Sequence, residues 1–165
     1  MQSIRDFLRS LSRNHLTGAI LGLFVLFTAS LSSAYAAEIP DDDDQDIMIR
    51  STLMTFNDAN VTGNYSVLIA KASSQFQQQV TPEKLSTAFE GFRKNKFYID
   101  DVVTADYDSY EKAKVDGEGV LTLAGVFKTD ELTVKYSLRY AKNDNVWKLL
   151  GINVDVNKKK AEASK

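Results

Sequence analysis

Three observations predict an α+β fold in which helices come first and an antiparallel sheet follows. Apolar residues recur at helical spacing from Ile47 to Phe92, the period becomes two after Lys96, and the change occurs once. Segregated helices and strands of this kind pack as helices on one face of a curved sheet.

Residues 1–36 read as a secretory signal peptide. Arg5, Arg9 and Arg13 make a basic start, Leu16 to Ala29 is nearly all apolar, and Ala34-Tyr35-Ala36 is a small-x-small site. The apolar run falls short of the roughly 20 residues that a spanning helix needs. There is no Arg-Arg pair for the twin-arginine route, and no cysteine to carry a lipid. The mature chain is expected to begin at Ala37, periplasmic or secreted, with no membrane association after cleavage.

Cleavage removes three of the 20 basic and one of the 22 acidic residues, which moves the formal charge from −2 to −4. A surface of that sign offers nothing to nucleic acid. The single histidine, His15, leaves with the leader, and the chain has no cysteine. The mature protein thus lacks both side chains that most often carry catalysis or bind transition metals, and neither a metal nor a cofactor is expected. With no disulfides its stability rests on an apolar core, for which the 129 residues left of 165 suffice.

Residues 37–46 include the run EIPDDDDQD, whose five aspartates read as a solvated tether with its last acids at the positive end of the next helix. A calcium loop is disfavoured, because such loops turn on a glycine that this run lacks. The folded domain is placed at 47–156, and 157–165 is read as a disordered lysine-rich tail.

The first helix is expected from Ile47 to Thr62. Ile49, Leu53 and Phe56 form its stripe, Ile47, Met54 and Val61 widen it, and Gly63 stops it. A shorter helix covers Tyr65 to Ala72. Thr81 caps a third, with Pro82 and Glu83 in its first turn and Leu85, Ala88, Phe89 and Phe92 facing inward.

Strands are expected from Phe97 to Ala105 and from Tyr110 to Val115, followed by a turn at Asp116-Gly117-Glu118-Gly119. Leu121, Leu123 and Phe127 then pair, across a Thr129-Asp130 turn, with the alternating set Leu132, Val134, Tyr136, Leu138 and Tyr140. A loop at Lys142 to Asp144 leads to a last strand whose inward set is Leu150, Ile152, Val154 and Val156.

Local phrases add a family likeness: Phe56-Asn57-Asp58-Ala59 with Gly63-Asn64-Tyr65, the Pro82 helix ending Phe89-Glu90-Gly91-Phe92-Arg93, and Val146-Trp147-Lys148-Leu149-Leu150-Gly151-Ile152. Over Ile47 to Val156 the chain resembles the nuclear transport factor 2-like superfamily, which includes SnoaL and ketosteroid isomerase. The resemblance implies a cystatin-like roll, a cone-shaped sheet wrapped on helices around a pocket. Such folds serve isomerases, dehydratases and epoxide hydrolases as well as binding and dimerising modules, so the fold does not choose the function. The enzymes among them use an aspartate with histidine or tyrosine partners. The mature chain has no histidine, and the reading leans against catalysis.

Among single residues, Glu111 shares its expected face with Ala113 and Val115. It is either a pocket carboxylate able to act as an acid or base, or a solvated edge residue; the latter is preferred because glutamate is almost never buried unpaired. Asp101 is the other weak catalytic candidate. Asp100, Asp101, Asp106 and Asp108 read as surface charge, since neighbours on a strand point to opposite faces. Tyr136, Tyr140, Gly125 and Leu123 are the candidate ligand-binding residues. The tyrosines are either pocket groups or core filler, and Gly125, opposite Val134 in the expected register, marks a bend or open space. Trp147 and Leu149 fall on the outer face, where the helices or a partner chain in a homodimer would cover them. Ser73-Ser74 lacks a base and nucleophile-elbow glycines.

These readings lead to an exported, noncatalytic domain with an apolar pocket for a small molecule or peptide. The alternatives are a small lyase or isomerase using Glu111 or Asp101 with Tyr136 or Tyr140, and a structural dimerisation module.

Overall fold

The computed structural model describes residues 38–159. Helix α1 spans Asp42–Thr62 and begins on a cap, the carboxylate of Asp41 accepting from the Asp44 N–H at 2.8 Å. Asp42, Asp43 and Asp44 occupy its first turn, where unpaired N–H groups favour negative charge. The tether expected through residue 46 therefore ends at the cap, because the acids start the helix instead of merely preceding it. Gly63 closes α1 in the left-handed conformation, φ 72°. Ile49, Leu53, Phe56 and Asn60 form the buried stripe. Ile47 and Val61 do not widen it; both lie on the solvent side.

Four short helices follow: α2 (Ser66–Lys71), α3 (Ser74–Gln79), α4 (Pro82–Ala88) and α5 (Glu90–Asn95). Helix α3 was not expected. Ser73 caps it by accepting from the Phe76 N–H at 3.2 Å, which accounts for this fully buried serine. The expected third helix breaks at Phe89, which ends α4 and opens α5. The break leaves Ala88 exposed and brings Phe89 and Phe92 edge-on to Phe56, at centroid distances of 4.7 and 5.3 Å.

No strand forms over Phe97 to Ala105. Asp100–Val103 is instead a 3-10 turn with Val102 fully buried. Asn57 accepts from the Ile99 N–H at 2.8 Å, and the Arg50 guanidinium donates to the carbonyls of Val102, Val103 and Ala105. Side chains of α1 thus satisfy backbone groups that a strand would have offered to a neighbour.

The sheet is curved, unclosed and antiparallel, with strands β1 (Tyr107–Tyr110), β2 (Lys114–Val115), β3 (Leu121–Lys128), β4 (Leu132–Asn143) and β5 (Val146–Lys158). Its order is β1-β3-β4-β5, with β2 also on β3, so the strand expected from Tyr110 to Val115 is divided. Together with the helices it makes an α+β fold.

Between β3 and β4 the loop takes in Glu131 as well as Thr129 and Asp130, and Gly125 faces Tyr136 instead of Val134. The shift is by an even number of residues, so every side chain keeps its expected face. Between β4 and β5 the turn is Asp144-Asn145, not Lys142 to Asp144. Both residues have positive φ, 51° and 62°, as a type I′ hairpin requires.

The inward set of β4 is buried as expected, but β5 carries a bulge. Arg139 pairs with Gly151 and Tyr140 with Leu149, which leaves Leu150 without an opposite residue. One extra residue exchanges the faces before it. Leu149 turns into the core at 4% exposure, Trp147 packs behind it, and Leu150 is half-buried. The outer patch on which a homodimer was expected is therefore not formed by Leu149. Strand β5 also runs through Asn157 and Lys158, and Lys159 N–H donates to the Glu131 carbonyl at 2.8 Å; those positions are not tail. Residues 1–37, where a signal peptide was expected, and residues 160–165 lie outside the described residues. Among the described residues no helix is long and apolar enough to cross a membrane.

Candidate functional site

Two cavities flank α1. The first, about 250 Å³, opens beside the start of the helix, between Ile49, Leu123, Tyr107 and Tyr136. Tyr110 and the carboxylates of Asp42, Asp46 and Glu111 border it.

Asp46 and Arg50 stand one helical turn apart, and Arg50 Nε donates to both carboxylate oxygens at 2.7 and 2.9 Å. The same carboxylate accepts from the Tyr107 hydroxyl at 2.7 Å. The Tyr107 ring stacks on Phe127 at 4.3 Å, and the Arg50 guanidinium lies over both rings at 5.2 and 5.1 Å. Burial, reinforced by the hydrogen bond to Asp46, keeps the Tyr107 phenol protonated well beyond its ordinary range.

Tyr136 projects from β4 into the same wall. It is 1% exposed, and its hydroxyl has no hydrogen-bond partner. Burial pushes its pKa up to about 12; the nearby Tyr107 phenol opposes that shift without reaching hydrogen-bond geometry. Its ring lies over Gly125, where a Cβ would come within 2.6 Å of the Tyr136 hydroxyl and 2.8 Å of the Ser109 carbonyl. Only glycine fits there. Of the two alternatives for Gly125, a bend or open space, the second does not hold: the space belongs to Tyr136.

Tyr140 shares the β4 face but serves the second cavity, about 260 Å³, on the other flank of α1. Its hydroxyl donates to the Met48 carbonyl at 3.1 Å and meets Thr52 Oγ1 at 2.9 Å, and burial raises its pKa. Lys71, Lys148, Trp147 and Leu149 border this cavity, and Lys71 Nζ donates to Thr55 Oγ1 at 3.0 Å. The two candidate tyrosines are thus brought to one sheet face and divided between two sites.

Leu123 lies with Tyr136 in the first cavity. Glu111 stands at its edge with an exposed side chain, held by its backbone N–H to the Ala124 carbonyl at 2.9 Å. Although expected to share a face with Ala113, it is exposed while Ala113 is buried, since both fall in the break between β1 and β2. Asp101, exposed on the 3-10 turn, borders neither cavity.

Sequence reasoning missed Asp46, Arg50 and Tyr107. The spacing of Asp46 and Arg50 is a helical ion-pair signal, visible once the helix is started at Asp42. It also missed a buried polar chain in which Arg93 donates to the Tyr65 hydroxyl at 2.9 Å and Tyr65 to Asn60 Oδ1 at 2.6 Å.

No protein-family model, curated protein or solved structure matches this chain.

Proposed function

We propose that the protein is an exported, noncatalytic binding domain whose first cavity takes a small molecule with an apolar body. The observation that carries this reading is the Tyr136 hydroxyl, buried in the cavity wall near the Tyr107 phenol with no hydrogen-bond partner. An orphaned buried hydroxyl costs about 1–3 kcal/mol, and a ligand that supplies the missing hydrogen bond recovers that cost. A cavity of about 250 Å³ suits a molecule of benzene size or somewhat larger and is small for a peptide segment. The noncatalytic reading is preferred because Asp46, the carboxylate in contact with a cavity phenol, is already engaged by Arg50 and Tyr107.

Native mass spectrometry of protein taken from its own source should show an added mass that is lost on denaturation. A Tyr136→Phe protein that retains the same mass at the same occupancy would remove the hydroxyl from the binding account. Export rests on the arginine, apolar and Ala34-Tyr35-Ala36 succession; amino-terminal sequencing should start at or near Ala37, and intact Met1 in a membrane fraction would refute it. Membership of the nuclear transport factor 2-like superfamily, with its cone-shaped roll, is proposed on the order of helices before an antiparallel sheet and on the local phrases that carry the resemblance.

A further inference from the structure

We infer that the ligand of the first cavity is a small organic cation, an amine carried on an aromatic or compact apolar body. This rests on the binding reading above and adds the charge of the ligand. The charged side chains bordering the cavity are Asp42, Asp46 and Glu111, all acids. Asp46 is neutralised by Arg50, but Asp42 and Glu111 are exposed and have no ion pair among the described residues. The second cavity shows that this is not the general colour of the surface, since its charged members are Lys71 and Lys148.

The walls agree with the rim. Tyr110, 74% exposed at the rim of the first cavity, leaves its aromatic ring accessible, and aromatic faces attract cations. Tyr107 already hosts the Arg50 guanidinium at 5.2 Å. Tyr136 supplies the independent sign that something polar belongs inside, because its buried hydroxyl is unpartnered and can accept from an ammonium N–H. Among the described residues no three acidic side chains converge closely enough to hold a metal ion. Dispersed carboxylates around an apolar hole suit a charge attached to an apolar body better than a bare divalent ion, which needs many oxygens at short range.

Calorimetric titration of the purified protein with three probes of one shape tests this: 2-phenylethylamine, 2-phenylethanol and phenylacetate. The amine should bind about tenfold tighter than the alcohol at low ionic strength, and phenylacetate weaker than either. The preference should collapse between about 0.01 M and 1 M salt as the rim carboxylates are screened. In Asp42→Asn/Glu111→Gln protein the ratio of amine to alcohol affinity should fall to within about twofold. Equal affinity for amine and alcohol in the unaltered protein overturns the cationic ligand and leaves the cavity reading standing. Amine binding that shifts no NMR resonance of Ile49 or Leu123 also overturns it, as surface attraction outside the cavity. If none of the three probes binds, the binding reading fails and the charge assignment falls with it.

Discussion

At the scale of single residues, the wall of the first cavity is built on a glycine and a phenol that depend on each other. Gly125 exists in that position because Tyr136 occupies the volume its side chain would need. Gly125→Ala should therefore cost about 1–3 kcal/mol as the ring is displaced towards the cavity, read as a lower urea midpoint. Tyr136→Phe should do the opposite. Removing a buried hydroxyl without a partner is expected to raise stability by about 1 kcal/mol, and a loss of that size in the same denaturation would mean that the hydroxyl is bonded after all. Asp46 shows the limit of reading residues alone. It falls in an acidic run that looks solvated, yet its carboxylate takes hydrogen bonds from both Arg50 and Tyr107. That contact holds the start of α1 against the first strand of the sheet.

At the scale of elements, faces depend on the parity of each register. The longer β3–β4 loop moved pairs by an even step and changed no face, whereas the one-residue bulge at Leu150 in β5 exchanged Leu149 for Leu150 in the core. Leu149→Asp is accordingly expected to lose several kcal/mol, because it places a charge in the apolar layer. Leu150→Asp should lose less than half of that; equal losses in thermal melts of the two variants would refute the bulge. The hairpin that follows holds Asp144 and Asn145 at positive φ, a conformation that glycine adopts without strain. Asn145→Gly should be tolerated or stabilising by about 0.5 kcal/mol, whereas a β-branched residue there should lower the melting temperature.

At the scale of the whole molecule, the interior is rich in protonated phenols. An unfolded tyrosine ionises near pH 10 or so; burial moves Tyr136 up to about 12 and moves Tyr107 and Tyr140 in the same direction. Between those values the folded protein binds more protons than the unfolded chain, so stability falls as pH rises. The contribution of Tyr136 is whole below about pH 10 and is lost by about pH 12, on the order of 2 kcal/mol. Circular dichroism followed through this range should show cooperative unfolding that coincides with the late rise in tyrosinate absorbance. A smooth phenol titration near pH 10 with no loss of structure would contradict the burial of these rings.

What the sequence determined by itself is what neighbours along the chain enforce. The cap at Thr81 with Pro82, the Gly63 stop, the turn at Asp116 to Gly119 and the alternation from Leu132 to Tyr140 were all legible, because each is a local geometric requirement. Of the site, Leu123 and Tyr136 were legible as one inward face, while Gly125 was recognised without its reason. Tertiary structure alone decided the rest. The segment from Phe97 to Ala105 has strand-like residues but is held as a 3-10 turn by Asn57 and Arg50, which lie 42 and 52 or more positions earlier. The Asp46–Tyr107 bond joins residues 61 apart. Beside the bulge at Leu150, the Ser73 N–H donates to the Leu149 carbonyl at 2.8 Å across a gap of 76 positions, and α1 divides Tyr136 and Tyr140 between two cavities; no local pattern records these contacts.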